Sequence, residues 1–404
     1  MGGLSAAGGM KQGLLHFLHA SEGEMISLLE RVVNVDSGTG QVEGLNQVAD
    51  IYRAELERSG VRAEIVQAAQ GNHVLGRRPG ENGKADPAGP SGKPAISLVI
   101  GHMDTVFPAG TVAQRPFRIE GRCAFGPGVE DMKSGLVCAV FAARALEQLG
   151  LWPGHDVRFF FNADEEVRSP TSAHIFAREG GLADEVYVLE GARDDGSVVT
   201  ARKGSARFQL TVSGRPSHSG ANHAAGRSAV KALAHKILEL EALTDYGRGI
   251  TVNVGVVRGG MTFNTVPAEA WCDLDVRVPD PEIAAQTVEA VRRIAAAEHV
   301  PGTTTRLEGG ITRPPMVRTD KIARLFLAVR GLAALIGRDL TESTTGGGSD
   351  GCLTAAAGAP TLDGLGPKGG WAHTPDEYLE LDSLVPCAAL LAMALATGPH
   401  VRRA

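Results

Sequence analysis

The stretch AISLVIGHMDTV, residues 95–106, contains the features that indicate the class of fold. Its first six residues form an almost continuous apolar run, which is typical of a strand covered on both faces of a sheet. Similar runs occur in VRFFF (157–161) and VYVLE (186–190), and the helical pattern SGLVCAVFAARALEQLG (134–150) lies between the first two. Strands that alternate with helices in this way predict an α/β fold.

The pattern of the chain changes at about residue 207. RFQLTVSG (207–214) alternates apolar and polar residues, as in a strand with one covered face, and a helical pattern follows it. Two more strands, ITVNVGVV (250–257) and AWCDLDVRV (270–278), precede a second helix and a last strand. This order predicts an open-faced sandwich inserted into the first domain. We therefore predict a discontinuous domain, residues 1–206 and 317–404, and an inserted domain, residues 207–316.

Length and composition agree with two globular domains and exclude several classes of partner. With 404 residues, 43% of them apolar, the chain exceeds what one hydrophobic core usually organises. A net charge of −6 and a pI of about 6.1 argue against a nucleic-acid partner. The sequence has no recognisable secretory signal or bilayer-spanning run, and its five scattered cysteines are typical of reduced core residues. We predict a cytoplasmic protein with no membrane partner, and a surface loop at the Pro- and Gly-rich residues 79–94.

Acidic and histidine residues follow the predicted strands of the first domain at the points where the strands end. They are His102 and Asp104 after the first apolar run, Asp131 just before a helix, Glu165 and Glu166 after FFFNAD, Glu190 after VYVL and, much later, His373. Strand ends of open α/β sheets are where such folds bind ligands. Imidazole together with carboxylate suits zinc or a similar divalent ion, and an excess of carboxylates suits two ions that share a ligand.

Each of these residues has an ordinary structural explanation when it is taken alone. A single histidine is usually a surface or hydrogen-bonded core residue, an acid before a helix is usually an N-cap, and paired glutamates are usually solvated. These explanations do not account for the recurrence of such residues at strand ends. Burying several acids without cations would also be very costly, so the pattern favours a metal site.

An ordered set of motifs that extends over nearly the whole chain resembles the co-catalytic zinc peptidases, the family of aminoacylase, glutamate carboxypeptidase and succinyl-diaminopimelate desuccinylase. The motifs are GHMDTV (101–106), GPGVEDMKSG (126–135), NADEEVRSP (162–170), RPSHSG (215–220), NTVP (264–267), DVR (275–277), GGGSD (346–350) and AHTPDEY (372–378). The resemblance implies a catalytic domain with helices on both faces of a mixed sheet. It also implies that the inserted α+β open-faced sandwich serves as a lid and dimerisation domain.

The resemblance assigns roles to the candidate metal residues. It implies that Asp131 bridges two zinc ions, with His102 and Glu190 completing one site and Glu166 and His373 the other; cobalt or manganese would suit the same ligands. Glu165 would be the general base, and Asp104 would orient the imidazole of His102. We expect the two adjacent glutamates to leave an extended backbone in opposite directions, so that one faces the metals and the other the substrate. A cis peptide bond is also implied between Asp131 and Met132.

The resemblance also implies substrate contacts in the inserted domain. His218 would stabilise the oxyanion of the tetrahedral intermediate from the partner subunit of a homodimer. Asn264, Arg277 and Arg313 would bind polar groups of the substrate, and guanidinium matches a free α-carboxylate well. Gly348 would belong to a backbone-lined loop beside the site. For either arginine, the alternative that the residues alone allow is a surface ion pair.

The expected reaction is hydrolysis of an amide that carries a free carboxylate, in a small molecule or peptide. The motifs are closest to those of the glutamate carboxypeptidases, which implies removal of a C-terminal amino acid from an N-acyl or peptidyl conjugate. Val199 stands where such enzymes are expected to place a lysine for the glutamate side chain, so deacylation of N-acyl amino acids or cleavage of dipeptides stays open. A two-metal phosphoesterase is a further rival. A non-catalytic carboxylate-binding module is disfavoured because every catalytic position is filled.

Overall fold

The structure is a computed structural model that describes residues 2–80 and 94–400. The loop predicted for residues 79–94 therefore lies, apart from its ends, outside the described part of the chain. The chain forms two compact units. Unit 1 comprises Met1–Thr200, Arg318–Thr344 and Ser349–Ala404, and unit 2 comprises Ala201–Val317 and Thr345–Gly348.

The helices and strands are numbered here in chain order. The helices are α1 Gly2–Ala20, α2 Glu22–Val33, α3 Val42–Arg58, α4 Thr111–Gln114, α5 Ser134–Gln148, α6 Ala173–Gly180, α7 Ala229–Glu241, α8 Pro281–Ala296, α9 Asp320–Leu335, α10 Gly351–Ala356 and α11 Leu384–Thr397. The strands are β1 Arg62–Val66, β2 His73–Arg78, β3 Ile96–His102, β4 Arg118–Glu120, β5 Cys123–Phe125, β6 Asp156–Asn162, β7 Glu185–Val188, β8 Val198–Arg202, β9 Gly204–Ser213, β10 Ser217–His218, β11 Thr251–Gly259, β12 Thr265–Val266, β13 Glu269–Val278, β14 Thr304–Arg313, β15 Glu342–Thr345, β16 Thr361–Leu362, β17 Gly369–Gly370 and β18 Tyr378–Glu380.

Unit 1 is built on a six-stranded mixed sheet, which confirms the predicted class of fold. Its strand order is β1-β2-β6-β3-β7-β16. Strands β6, β3, β7 and β16 run parallel to one another, whereas β2 runs antiparallel to its neighbours β1 and β6. Every residue of β3 is buried, as its apolar run predicts for a strand with both faces covered.

The three phenylalanines of β6 show how the sheet is covered on both faces. Phe159 and Phe161 belong to the core formed with α3 and α5, and the ring of Phe161 lies 5.7 Å from that of Tyr52. Phe160 points to the opposite face, where its ring lies 4.8 Å from that of Phe176 in α6. Successive strand residues alternate between faces, so one run anchors two layers of helices. Each buried phenylalanine stabilises the fold by about 1.5–3 kcal/mol.

Unit 2 is an antiparallel four-stranded sheet with two helices. Its strand order is β11-β13-β9-β14, and α7 and α8 pack on one face. Along β13 the buried residues alternate with partly exposed ones, so the covered face is apolar and the other carries polar side chains. This is the order of strands and helices that the sequence predicts for an open-faced sandwich.

Two further observations concern the backbone and the helices. The peptide bond between Asp131 and Met132 is cis, as is that between Gly398 and Pro399. Over residues 2–80 and 94–400, no helix has both the length and the apolar content that crossing a bilayer requires.

Candidate metal centre

The candidate ligands meet at one edge of the unit 1 sheet. Strand β3 ends at His102, β6 ends shortly before Glu166, and β7 ends two residues before Glu190. These three strands are parallel neighbours, so their carboxyl ends lie along the same edge. Asp131 precedes α5, and His373 lies in the segment that joins β17 to β18.

Two groups of side chains share Asp131. In the first, Nε2 of His102 lies 3.0 Å from Oδ1 of Asp131 and 3.7 Å from Oε1 of Glu190. In the second, Nε2 of His373 lies 3.0 Å from Oδ2 of Asp131 and 3.4 Å from Oε2 of Glu166. Within the described residues these are the two groups whose ligand atoms all lie within 4.8 Å of one another. Each group thus uses a different oxygen of Asp131, which is the arrangement that a bridging carboxylate requires.

Two of the acids in these groups, Glu166 and Glu190, have raised pKa values because they are shielded from water and lie near other negative charges. Burial raises the pKa of Glu190 well above its usual value, and the nearby charge of Asp131 adds to the shift. Burial likewise raises the pKa of Glu166, whose Oε1 is a buried oxygen with no hydrogen-bond partner. Hydrogen bonds to Asp131 and Glu166 raise the pKa of His373 to about 11.

The donor set therefore fits divalent cations. Without them, three carboxylates in close contact must be balanced by protons on the carboxylates or on the two imidazoles. For His102, burial lowers the pKa, but hydrogen bonds to Asp104 and Asp131 outweigh it and raise the pKa well above its usual value. Cations held by imidazole nitrogens and carboxylate oxygens would replace those protons and would also give the buried Oε1 of Glu166 a partner.

Asp104 has two contacts with the candidate centre. The Nδ1 of His102 donates a hydrogen bond to the backbone carbonyl of Asp104 at 3.0 Å. The same nitrogen lies 3.4 Å from the side-chain Oδ1 of Asp104. The buried Asp104 carboxylate accepts hydrogen bonds from the backbone N–H groups of Glu165 and Glu166, each at 3.1 Å, and from the hydroxyl of Thr39 at 2.7 Å. Asp104 therefore contacts the ring of His102 and also fixes the turn that carries the two glutamates.

The backbone of the adjacent glutamates differs from the sequence-based expectation. Glu165 and Glu166 lie in a 3₁₀ turn, Glu165–Val167, and the extended strand β6 ends at Asn162. The backbone at the two glutamates is therefore not extended, and the prediction that it would be was wrong. In a 3₁₀ turn, successive side chains point about 120° apart, because there are three residues per turn. Glu166 joins the group with Asp131 and His373, and Glu165 lies outside both groups.

Two buried acids behind this turn were not identified from the sequence. Asp164 accepts hydrogen bonds from the Thr171 N–H at 2.7 Å and from the hydroxyls of Thr171 and Ser172, each at 2.6 Å. Asp350, the last residue of GGGSD, accepts from the Asn162 amide at 2.7 Å and from the Ser169 hydroxyl. Their hydroxyl and amide partners lie in distant parts of the sequence or beyond a turn, so no local pattern identifies them.

In unit 2 the structure brings His218, on strand β10, close to Asn264, which directly precedes the paired strand β12. Strands β10 and β12 pair with His218 opposite Thr265, and the Ser219 N–H donates to the carbonyl of Asn264 at 2.9 Å. The exposed ring of His218 accepts at Nδ1 from the N–H groups of Gly220 and Ala221, at 3.1 and 3.0 Å. In the neutral ring, the proton is therefore on Nε2.

The two arginines have different surroundings. Arg277 on β13 forms a two-contact ion pair with Asp275, with its Nε at 2.7 Å from Oδ1 and a terminal nitrogen at 3.3 Å from Oδ2. Arg313, at the end of β14, is buried and lies against Gly348. A Cβ at Gly348 would be 2.6 Å from Cδ of Arg313, so this glycine leaves room for the arginine.

Comparisons with known proteins identify related proteins. Residues 98–397 match the model of peptidase family M20/M25/M40. Carboxypeptidase G2 of Pseudomonas sp. (strain RS-16) is 28% identical over 389 residues, which cover 93% of this chain and 90% of the relative. The M20 family metallo-carboxypeptidase Sso-CP2 of Sulfolobus solfataricus superposes with a TM-score of 0.73 at 17% identity, over 94% of this chain and 100% of its own. YXEP of Bacillus subtilis, described as a dinuclear metal-binding peptidase, gives 0.66 at 16% identity, over 94% and 98%.

Proposed function

The chain belongs to peptidase family M20/M25/M40 and is a metal-dependent peptidase, and on that premise we propose that it removes a C-terminal amino acid from an N-acyl or peptidyl conjugate. The proposal rests on the position of Asp131. Its carboxylate belongs to both groups of candidate ligands, and each group contacts a different one of its oxygens. The similarity to carboxypeptidase G2 over nearly the whole chain supports the choice of bond.

The residues that would hold the metal follow from the two groups. Asp131 would bridge two zinc ions, with His102 and Glu190 on one and Glu166 and His373 on the other; the same donors would also accept cobalt or manganese. When bound, such a pair supplies a water of lowered pKa and polarises the scissile carbonyl. The rest of the chemistry depends on side chains that are not ligands.

Glu165 is proposed as the general base. It would take a proton from the attacking water and return it to the leaving amine. This role requires a carboxylate that lies near the metals but is not itself a ligand. Glu165 lies outside both ligand groups, while its charge acts on Glu190. The hydrogen bond from its backbone N–H to Asp104 helps to fix the turn in which it lies.

His218 is proposed to donate to the oxyanion of the intermediate from the partner subunit of a homodimer. Its Nδ1 accepts hydrogen bonds from two backbone N–H groups. The proton of the neutral ring is therefore on Nε2, where the exposed ring can donate it to an oxyanion. Two features of unit 2 support a dimer. Strand β11 is an edge strand, since it pairs only with β13 in the described sheet. Val256 and Val257 on β11 are exposed, and an exposed apolar edge strand can pair with a strand of another chain.

Recognition of the carboxylate is proposed for Arg277 and Arg313, with Asn264 and the backbone at Gly348 as further polar contacts. Val199 bears on which amino acid is released. Its side chain is fully buried in β8, so this position offers no cation for a glutamate side chain. This observation argues against a preference for C-terminal glutamate and leaves open the alternative that the enzyme deacylates N-acyl amino acids or cleaves dipeptides. The cysteines, none of which forms a disulfide in the described residues, are compatible with the proposed action in the reducing cytoplasm.

A metal count combined with a substrate panel tests the proposal. After removal of loosely bound ions, we expect about two divalent ions per chain. With added zinc, the protein should cleave members of a panel of N-acyl amino acids, dipeptides and folate-like conjugates, with and without C-terminal glutamate. Full activity with no more than one ion would contradict the bridging role of Asp131. Cleavage of phosphate esters without any amide cleavage would contradict the reaction class.

A further inference from the structure

The carboxylate of Glu377 binds the backbone of the loop that carries Asp131. Its Oε1 accepts hydrogen bonds from the N–H groups of Glu130 and Asp131, at 2.9 and 3.0 Å. Its Oε2 accepts from the N–H of Gly128 at 2.9 Å. The Glu377 side chain is almost completely buried, so these bonds are sheltered from competition with water.

Three backbone N–H groups of the loop have this carboxylate as their acceptor. Residues 126–128 form a turn in which Gly128 has a φ of +73°, and a π-helical turn, Val129–Lys133, follows with non-helical backbone at Asp131. Three backbone N–H groups that point at one anion form a concave binding site for it. Without the carboxylate these N–H groups, two of which belong to buried residues, would lose their acceptor, so the anion favours the observed backbone path.

Glu377 also connects two of the candidate ligands. It lies in the same segment as His373, whose Nε2 contacts Oδ2 of Asp131 at 3.0 Å. The segment 373–377 therefore holds Asp131 at two points, by its side chain through His373 and by its backbone through Glu377. The buried ammonium of Lys133 interacts electrostatically with Glu377 and donates to the carbonyl of Val35 at 3.2 Å, which places a cation near this anion.

We infer that Glu377 is a positioning residue that fixes Asp131 relative to His373 and so sets the affinity of the centre for its cations. Glu377 is itself in neither ligand group. The inference rests on the proposed role of Asp131 as the shared ligand. Residues that orient metal ligands typically change metal affinity by about 10–100-fold when they are replaced.

The test is a metal titration of purified full-length variants. Glu377→Gln keeps the shape of the side chain but replaces one of its two acceptor oxygens with an NH2 group, which cannot accept a hydrogen bond from a backbone N–H. We expect the dissociation constant for Zn²⁺ or Co²⁺, measured on metal-free protein, to rise by about 10–100-fold. The matched control is Asp376→Asn, the same chemical change at an exposed neighbouring residue, which should bind as the wild type does.

Two further measurements separate the explanations. A purely structural role would lower the unfolding midpoint of the metal-free Glu377→Gln protein and leave metal affinity within about twofold of wild type, and that result would overturn the inference. If Glu377→Gln does not fold, Glu377→Asp keeps the charge and withdraws it by one methylene group. A folded Glu377→Asp protein should bind the metal more weakly than wild type, and unchanged affinity would again overturn the inference.

Asp131→Asn in the same titration distinguishes this inference from the proposed function. Loss of metal in Asp131→Asn together with wild-type affinity in Glu377→Gln would refute only the role of Glu377. Wild-type binding of two ions by Asp131→Asn would instead refute the shared-ligand assignment on which both rest.

Discussion

The two units of the molecule balance their charged side chains in opposite ways. In unit 1, Asp131, Glu166 and Glu190 crowd around two histidines, and burial raises the pKa of both glutamates. In unit 2, Arg277 has its counter-ion, Asp275, on the same strand and in two-contact geometry. The first arrangement is short of positive charge, whereas in the second Arg277 already has a carboxylate partner, which it shares with Arg207.

This difference separates residues that need a ligand from residues that can do without one. The acids of unit 1 would be costly in their observed places unless cations or protons joined them. A side chain that already has a counter-ion can also bind a substrate, but its position is stable without any substrate. The geometry alone is therefore a stronger argument for the metal centre than for the carboxylate contacts.

The largest change in turnover is expected from substitution of Glu165, and the adjacent Glu166 should respond differently. Glu165→Gln cannot accept a proton, so turnover should fall by roughly 10²–10⁴-fold while metal content stays at the wild-type value. Glu166→Gln should lower metal content, because Glu166 is in a ligand group. Turnover and bound metal are measured for both variants. The reverse pattern would mean that the general base and the ligand have been interchanged.

A smaller effect tests whether unit 2 takes part in the chemistry. His218→Ala should lower turnover by roughly 10²–10³-fold with unchanged metal content, since it removes one donor to the oxyanion. His223→Ala, at a nearby exposed histidine, should stay close to wild type.

Mixing two inactive variants tests whether His218 acts across a dimer. A dimer of one His218→Ala chain and one Glu165→Gln chain has one site with both groups intact if His218 acts from the partner. Part of the activity should return once labelled chains show that subunits have exchanged. Exchange with no recovered activity would mean that His218 serves its own chain or does not act in catalysis.

The smallest effect is expected at the paired arginine. Arg277→Ala should lower kcat/KM for a substrate with a free carboxylate by about 10–100-fold, the value of a charge-assisted hydrogen bond, mainly through KM. Arg207→Ala is the matched control because Arg207 contacts the same Asp275, at 3.3 Å. The substrate in which the carboxylate is an amide should lose this difference. Equal effects of both variants would reduce Arg277 to a structural ion pair.

The sequence predicts the fold well where local patterns and packing agree. The apolar runs of β3, β6 and β7 are buried on both faces, and the mixed sheet with two layers of helices is confirmed. Helix α1 was not predicted. Glycines early in its sequence weaken its helix propensity, and its buried Leu14 and Leu18 show that tertiary packing stabilises it.

At the candidate centre, the sequence identifies residues better than it identifies what holds them. Strand ends predict a site that contains His102, Glu166 and Glu190, because parallel strands place their carboxyl ends together. The 3₁₀ turn of Glu165 depends on the Asp104 carboxylate, a contact between distant parts of the chain. Glu377 falls inside a motif but binds backbone groups, and which N–H groups converge on it is decided by the folded loop.

The order of the ligands along the chain has a consequence for biosynthesis. His102, Asp131 and Glu190 are all translated well before His373. On the ribosome, a chain that has emerged only as far as Glu190 can bring together at most the first group of ligands. The second group and the Glu377 anchor arrive together in one late segment. Binding of the proposed pair of cations would therefore require that synthesis has passed this point and that the C-terminal part of unit 1 has folded against the rest of the unit.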